Sequence, residues 1–254
     1  MILFLLLLLL ASNVHGGAVD TRPGRDWCAE ECIYLDIDQG LEPRRPDFKA
    51  AVDELNDSTL GCFVLQDYRD IPEGSTFLYF QPSSGCSSFV GRIGCNFQEI
   101  SIAPGCNKGS IIHEVMHALG AWHEHQRPDR DAFVIIERAN IRPATLFNFD
   151  IPASVTNFGP YDYDSLMHYG KSAFASARGL ITITTRDPSK QDVIGQRAGM
   201  SAGDIALVNH LLCKEDTSGP KPRPERVCAA TDFANTTIVI EPPDVSNTVN
   251  KTTI

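Results

Sequence analysis

Residues 113 to 123 read H-E-V-M-H-A-L-G-A-W-H. His113 and His117 stand four apart, so on a helix both imidazoles leave one face and can grip a single ion. Ser110 to Leu119 keeps helical spacing, and Gly120 suits the left-handed position that ends a helix. The chain can then turn and bring His123 to the same ion from another direction. Any fold for this chain must therefore supply a helix, a break and a return within eleven residues. Three neutral imidazoles around an open position suit a catalytic zinc, which lowers the pKa of bound water towards about 7. Glu114 can reach that water without ligating, take its proton and pass it to a leaving amine. H-E-x-x-H alone is a modest signal, and paired histidines on a solvated helix face often carry no chemistry. Gly120 and His123 in register argue against that reading.

The start of the chain bears on compartment. Met1 to Ala11 is an apolar run, about half the ~20 residues that span a bilayer. Residues 1–16 read as a secretory signal peptide cut near Gly16, and no later stretch is long and apolar enough for a membrane span. Secretion gives eight cysteines a reason to pair. It also makes Asn56, Asn235 and Asn250, each in an Asn-x-Ser/Thr triplet, glycosylation candidates. A formal charge of −10 excludes a nucleic-acid partner, which would need a basic stripe. With 21% charged residues and 13 Phe the chain is too apolar to be disordered.

Strand-like alternation runs from Cys32 to Ile37, and Phe48, Ala51, Val52 and Leu55 mark a helix with Pro46 in its first turn. Further strand-like runs occupy 61–66, 76–80 and 88–93. Phe97 to Ala103 alternates cleanly and reads as a half-buried strand at a sheet edge, suited to pairing with an extended peptide. A last helix is expected over 201–212. Beyond Cys213 the composition shifts to Pro, Thr, Asn and Ser, and 214–254 reads as a flexible or glycosylated tail. The division is thus 1–16 signal peptide, 17–213 catalytic domain and 214–254 tail.

The run from His113 to Asp131, H-E-V-M-H-A-L-G-A-W-H-E-H-Q-R-P-D-R-D, resembles the astacin family of zinc metalloendopeptidases, which are metzincins. Tyr163 to Tyr169, Y-D-S-L-M-H-Y, resembles that family's methionine turn, with Leu166 where Ile is commoner. Gly85 to Arg92 and Ile194 to Arg197 also match, the latter as in tolloid-like and hatching-enzyme-like branches. The resemblance covers Cys32 to Cys213. No F-x-G-D-like propeptide block stands between Gly16 and Cys28.

The resemblance implies that His113, His117 and His123 ligate one Zn2+, with Glu114 as general base and acid. It implies Met167 as the apolar floor beneath the metal and Tyr169 as a phenol ligand that swings away to hydrogen-bond the tetrahedral intermediate. Glu124 would meet the new amino terminus made on activation. Arg186 would stand in the pocket after the scissile bond and favour an acidic residue there; an unpaired surface arginine is the alternative. The resemblance also implies Cys62–Cys213 and Cys86–Cys106. Three pairings remain for Cys28, Cys32, Cys95 and Cys228; hatching-enzyme-like members offer a parallel for Cys28–Cys32, leaving Cys95–Cys228.

The expected fold is α+β, a two-lobed metzincin domain. A twisted mixed sheet with helices forms the amino-terminal lobe, and a mostly irregular carboxy-terminal lobe ends in one helix. The expected function is a secreted zinc endopeptidase acting on protein or peptide substrates. A binding protein that kept the fold is the rival, and loss of Glu114 or a ligand histidine would favour it; all are present. A zinc hydrolase of small molecules is a third reading, disfavoured by the expected edge strand.

Overall fold

The computed structural model describes residues 16–28, 30, 32–93, 97–213 and 238–240. After β1 (Gly17–Asp20), β2 (Ile33–Ile37) starts the main sheet and α1 (Arg45–Ser58) follows with Pro46 in its first turn. Phe48, Ala51, Val52 and Leu55 are its buried residues, the stripe their spacing predicts. The sheet continues through β3 (Phe63–Leu65), β4 (Phe77–Pro82), β5 (Ser87–Phe89) and β6 (Phe97–Ile102), before α2 (Lys108–Leu119). Short strands then punctuate a region of turns: β7 (Ala121–Trp122), β8 (Val134–Ile136), β9 (Val155–Phe158) and β10 (Ile183–Thr185). They lead to α3 (Ala202–Leu211), and β11 (Ile238–Ile240) lies within the stretch read as a tail.

The main sheet has the order β11-β5-β6-β4-β2-β3. The pairs β2–β3, β2–β4 and β4–β6 are parallel, while β5 runs antiparallel to β6 and β11 antiparallel to β5. Parallel neighbours need crossovers, and α1 supplies one between β2 and β3. Two smaller sheets, β7-β1-β9 and β10-β8, brace the rest. One apolar core joins the main sheet to α1, α2 and α3 and includes Leu166 and Met167. A second core gathers Val134, Ile141, Phe149, Tyr161, Tyr169, Phe174, Ile183 and Ile194. Mixed sheets with helices give the expected α+β fold, but α3, expected to close the carboxy-terminal lobe, packs in the first core with the main sheet. Among the described residues no helix is long and apolar enough to cross a membrane.

Two expectations are corrected here. The strand at 97–102 is not an edge, since β6 sits between β4 and β5. Its alternation is real: Gln98, Ile100 and Ile102 are buried while Phe97 and Glu99 are exposed. Alternation reports one covered face, and an inner strand with one open face shows it as well as an edge strand does.

The second correction concerns disulfides. Cys32 pairs with Cys62 and Cys28 with Cys213, in place of Cys62–Cys213 and Cys28–Cys32. The cause is register. Ile33 and Phe63 are partners in the parallel β2–β3 pair, so the cysteines just before them face each other with Cα atoms 4.5 Å apart. Cys28 is left to reach the end of α3, where its Cα lies 5.1 Å from that of Cys213. Cys86 and Cys106 are joined, clamping β5 to the turn before α2. A non-reducing peptide map is expected to recover Cys28 linked to Cys213 and Cys32 linked to Cys62; a Cys62–Cys213 peptide would refute this pairing. Residues 1–15 of the stretch 1–16 read as a signal peptide, the expected pairing of Cys95 with Cys228, Asn235 and Asn250 lie outside the described residues. Asn56 is exposed near the end of α1, its amide paired both ways with the Phe63 backbone at 2.8 Å.

Candidate metal centre

The Asn107 side chain caps α2 by accepting from Ser110 N at 3.0 Å. One helical turn then separates His113 from His117, whose ring centroids lie 4.6 Å apart. Gly120 ends the helix at φ 120°, where a side chain would be strained, and its N–H reaches back to the carbonyls of Met116 and His117. β7 then turns away and pairs with β1, carrying His123 back to the helix. The His123 ring lies 4.6 Å from that of His117 and 5.3 Å from that of His113. All three imidazoles are fully buried, and one nitrogen from each lies within 4.8 Å of the others.

The outer nitrogens fix the tautomers. Nδ1 of His113 donates to Leu166 O and Nδ1 of His117 to Ala121 O, each at 2.7 Å. Nδ1 of His123 faces Gln126 Oε1 at 3.0 Å, while the Gln126 amide nitrogen donates to Asp150 O. Carbonyl oxygens only accept, so each Nδ1 carries a proton and Nε2 is the nitrogen turned to the site. Nε2 of His117 and Nε2 of His123 stand 3.2 Å apart. Nitrogens converging at that range in a buried site are placed to share one ion. The donor set, three imidazoles with oriented Nδ1 protons, fits zinc.

Glu114 is fully buried next to His113. Below the imidazoles runs the turn from Asp162 to Tyr169. Ser165 Oγ and Leu166 N donate to Asp204 at 2.6 and 2.8 Å, and Met167 N donates to Ser165 Oγ at 2.9 Å. The Met167 carbonyl in turn accepts from Glu124 N at 2.9 Å. Met167 is buried and belongs to the main core. The Tyr169 ring is buried with its centroid 4.2 Å from those of both His123 and His125. His168 holds the Tyr169 carbonyl through Nδ1 at 2.7 Å and meets Tyr161 OH at 2.7 Å through Nε2. Burial brings its pKa down to about 4, so it works as a neutral imidazole.

Glu124 is fully buried, and that burial holds its carboxyl well above the usual range, with Arg127 at 3.4 Å pulling the other way. Oε1 accepts from Asp162 N at 2.8 Å; Oε2 meets no hydrogen-bond partner among the described residues. The Arg127 guanidinium also donates to Gly17 O at the start of β1. Arg186 is exposed just after β10, its Nε donating to Asp131 O and its backbone N–H to Phe133 O, each at 2.7 Å.

Sequence reasoning missed Gln126 and Asp204. A signal for Asp204 exists: Ser201-Ala-Gly-Asp204 is a capping box in which Ser201 Oγ and the Asp204 carboxylate each bind the other's backbone N–H. Nothing in the sequence says that the same carboxylate also holds the turn under the metal site.

Known proteins resemble this chain. The sequence profile of the peptidase family described as Astacin matches residues 19–213. A bone morphogenetic protein 1 homolog from Strongylocentrotus purpuratus is 36% identical over 205 residues, covering 78% of this chain and 32% of that protein. Tolloid-like protein 1 of Homo sapiens is 37% identical over 203 residues, or 76% of this chain and 19% of that one. The chain thus spans about a third or less of the length of these curated relatives. Among solved structures, high choriolytic enzyme 1, a hatching enzyme zinc-protease from Oryzias latipes, superposes with a TM-score of 0.63 at 38% identity. That alignment covers 72% of this chain and 89% of the other. Since the profile match begins inside β1, ends at the cysteine closing α3 and takes in both cores, the chain belongs to the astacin family of peptidases.

Proposed function

We propose that the chain is a secreted zinc endopeptidase that hydrolyses peptide bonds in protein substrates. The observation that carries this reading is the convergence of three tautomer-fixed imidazoles beside the buried carboxylate of Glu114. His113, His117 and His123 would hold the ion through the ring nitrogens turned to the site. Zinc, when bound, supplies a Lewis acid and lowers the pKa of its water towards about 7. Glu114 accepts the proton released by the attacking water and returns it to the leaving amine nitrogen. Tyr169, whose ring lies against that of His123, would offer its phenol oxygen to the ion at rest and its O–H as a hydrogen bond to the developing oxyanion. Met167 closes the floor from the core side.

Glu124 receives the amine of a processed chain. Its carboxylate has an oxygen without a partner among the described residues, and one guanidinium links it to the first residue of β1. Arg186 favours an acidic side chain after the scissile bond, since its guanidinium is exposed and fixed at one nitrogen only by a backbone carbonyl.

The test is digestion of casein by the purified, processed full chain. One equivalent of zinc, cleavage that stops with a chelator and returns with zinc, and Asp or Glu after the cut sites are expected. Cleavage indifferent to the chelator would overturn the reading; metal-dependent cleavage with no acidic preference would remove Arg186 alone from it.

A further inference from the structure

β5 would be the edge of the main sheet if β11 were absent, because the order runs β11-β5-β6. It lies against the metal-bearing helix: β5 packs on α2, and two residues beyond it Gly91 N donates to His117 O at 2.8 Å. One side of β5 pairs with β6, through Ser87 with Ser101 and Ser88 with Ile100. Its other side pairs antiparallel with the chain's own Ile238–Ile240, in the register Ile238 to Phe89, Val239 to Ser88 and Ile240 to Ser87.

A strand edge beside a peptidase centre is where an extended peptide gains backbone hydrogen bonds. Those backbone groups serve one partner at a time, so a peptide and β11 cannot both occupy them. The sequence of the occupant is consistent with such a role. Ile238, Val239 and Ile240 are all β-branched strand formers, and Pro242 and Pro243 follow two residues later, where a ladder could not continue. Because the segment is tethered through the chain after Cys213, its pairing is a unimolecular event that a free peptide must outcompete.

We propose that Ile238–Ile240 is a built-in competitor for the peptide-binding edge, so that an extended substrate adds to β5 only when this segment has left. The proposal rests on the endopeptidase reading for its consequence, but the pairing itself can be tested without activity. The full chain is compared with two variants, Ile238→Pro/Ile240→Pro and Val239→Pro; proline removes the N–H that either register could use. Hydrogen exchange at the Ser87–Phe89 amides is expected to be slow in the wild type and faster in at least one variant. KM for a quenched fluorogenic hexapeptide is expected to fall about five- to tenfold in the same variant with kcat unchanged, since apparent affinity scales with the fraction of chains whose edge is open. A synthetic peptide spanning Thr236 to Glu241, added to that variant, should raise KM again as a competitive inhibitor. Equal exchange in all three chains, or equal KM where turnover is measurable, overturns the proposal. Altered exchange with no turnover in any chain sinks the peptidase reading and leaves the pairing standing.

Discussion

Replacing Glu114 by Gln is expected to lower kcat/KM on a fluorogenic peptide by about a thousandfold or more, within the range of general-base removal. Gln keeps the volume and the planar end group in a fully buried position, so packing is retained. It cannot take a proton from water at neutral pH. Each imidazole is also held from its outer side, at Nδ1, by Leu166 O, Ala121 O or Gln126 Oε1. Zinc content measured on the purified variant should therefore stay at one equivalent, and the thermal midpoint should not fall. Removing a buried carboxylate lifts a desolvation penalty even as it abolishes the base. Turnover within tenfold of wild type would exclude Glu114 as the base. Loss of zinc together with activity would instead make its role structural.

What the sequence announced about this site was local. His113, His117, Gly120 and His123 stand within one helix and one turn, and helical geometry alone brings them together. Ala121 and Gln126, which hold His117 and His123, are local as well, but other supports come from farther away and left weaker traces. Leu166, whose carbonyl fixes the His113 tautomer, is 53 positions on. Disulfide partners depended on the register of β2 against β3, a non-local property that spacing does not encode. The strand at 97–102 was read correctly as half-buried and wrongly as an edge, because period two reports faces and not neighbours. Composition beyond Cys213 suggested a loose tail, yet three β-branched residues in it pair with β5. Their strand propensity was legible; their partner was not.

The second large effect is expected at Asp204, far from the ligands in sequence and absent from the motif. Its buried carboxylate accepts from Ser165 Oγ at 2.6 Å, Leu166 N at 2.8 Å and Ser201 N at 3.0 Å. Burial raises its pKa to about 6, opposed by those three donors, so at pH 7.5 it is the charged acceptor that all three need. Asp204→Ala leaves the buried Ser165 and Leu166 donors and the half-buried Ser201 N–H without that acceptor and opens the capping box of α3. At about 1–3 kcal/mol for each unsatisfied buried group, with partial relaxation, a loss of roughly 3–5 kcal/mol is expected in urea unfolding. The same change frees Leu166, and with it the carbonyl that fixes Nδ1 of His113, and frees Ser165, which holds Met167 N. Zinc affinity should then fall about ten- to a hundredfold, as when other partners that orient ligands are removed. Asp204→Asn keeps one acceptor oxygen but turns a donor toward Leu166 N or Ser165, so it should fall between wild type and Ala on both measurements. Stability lost with zinc affinity unchanged would confine Asp204 to capping α3. Loss of both, graded Asn before Ala, is what a carboxylate joining the last helix to the floor of the metal site requires.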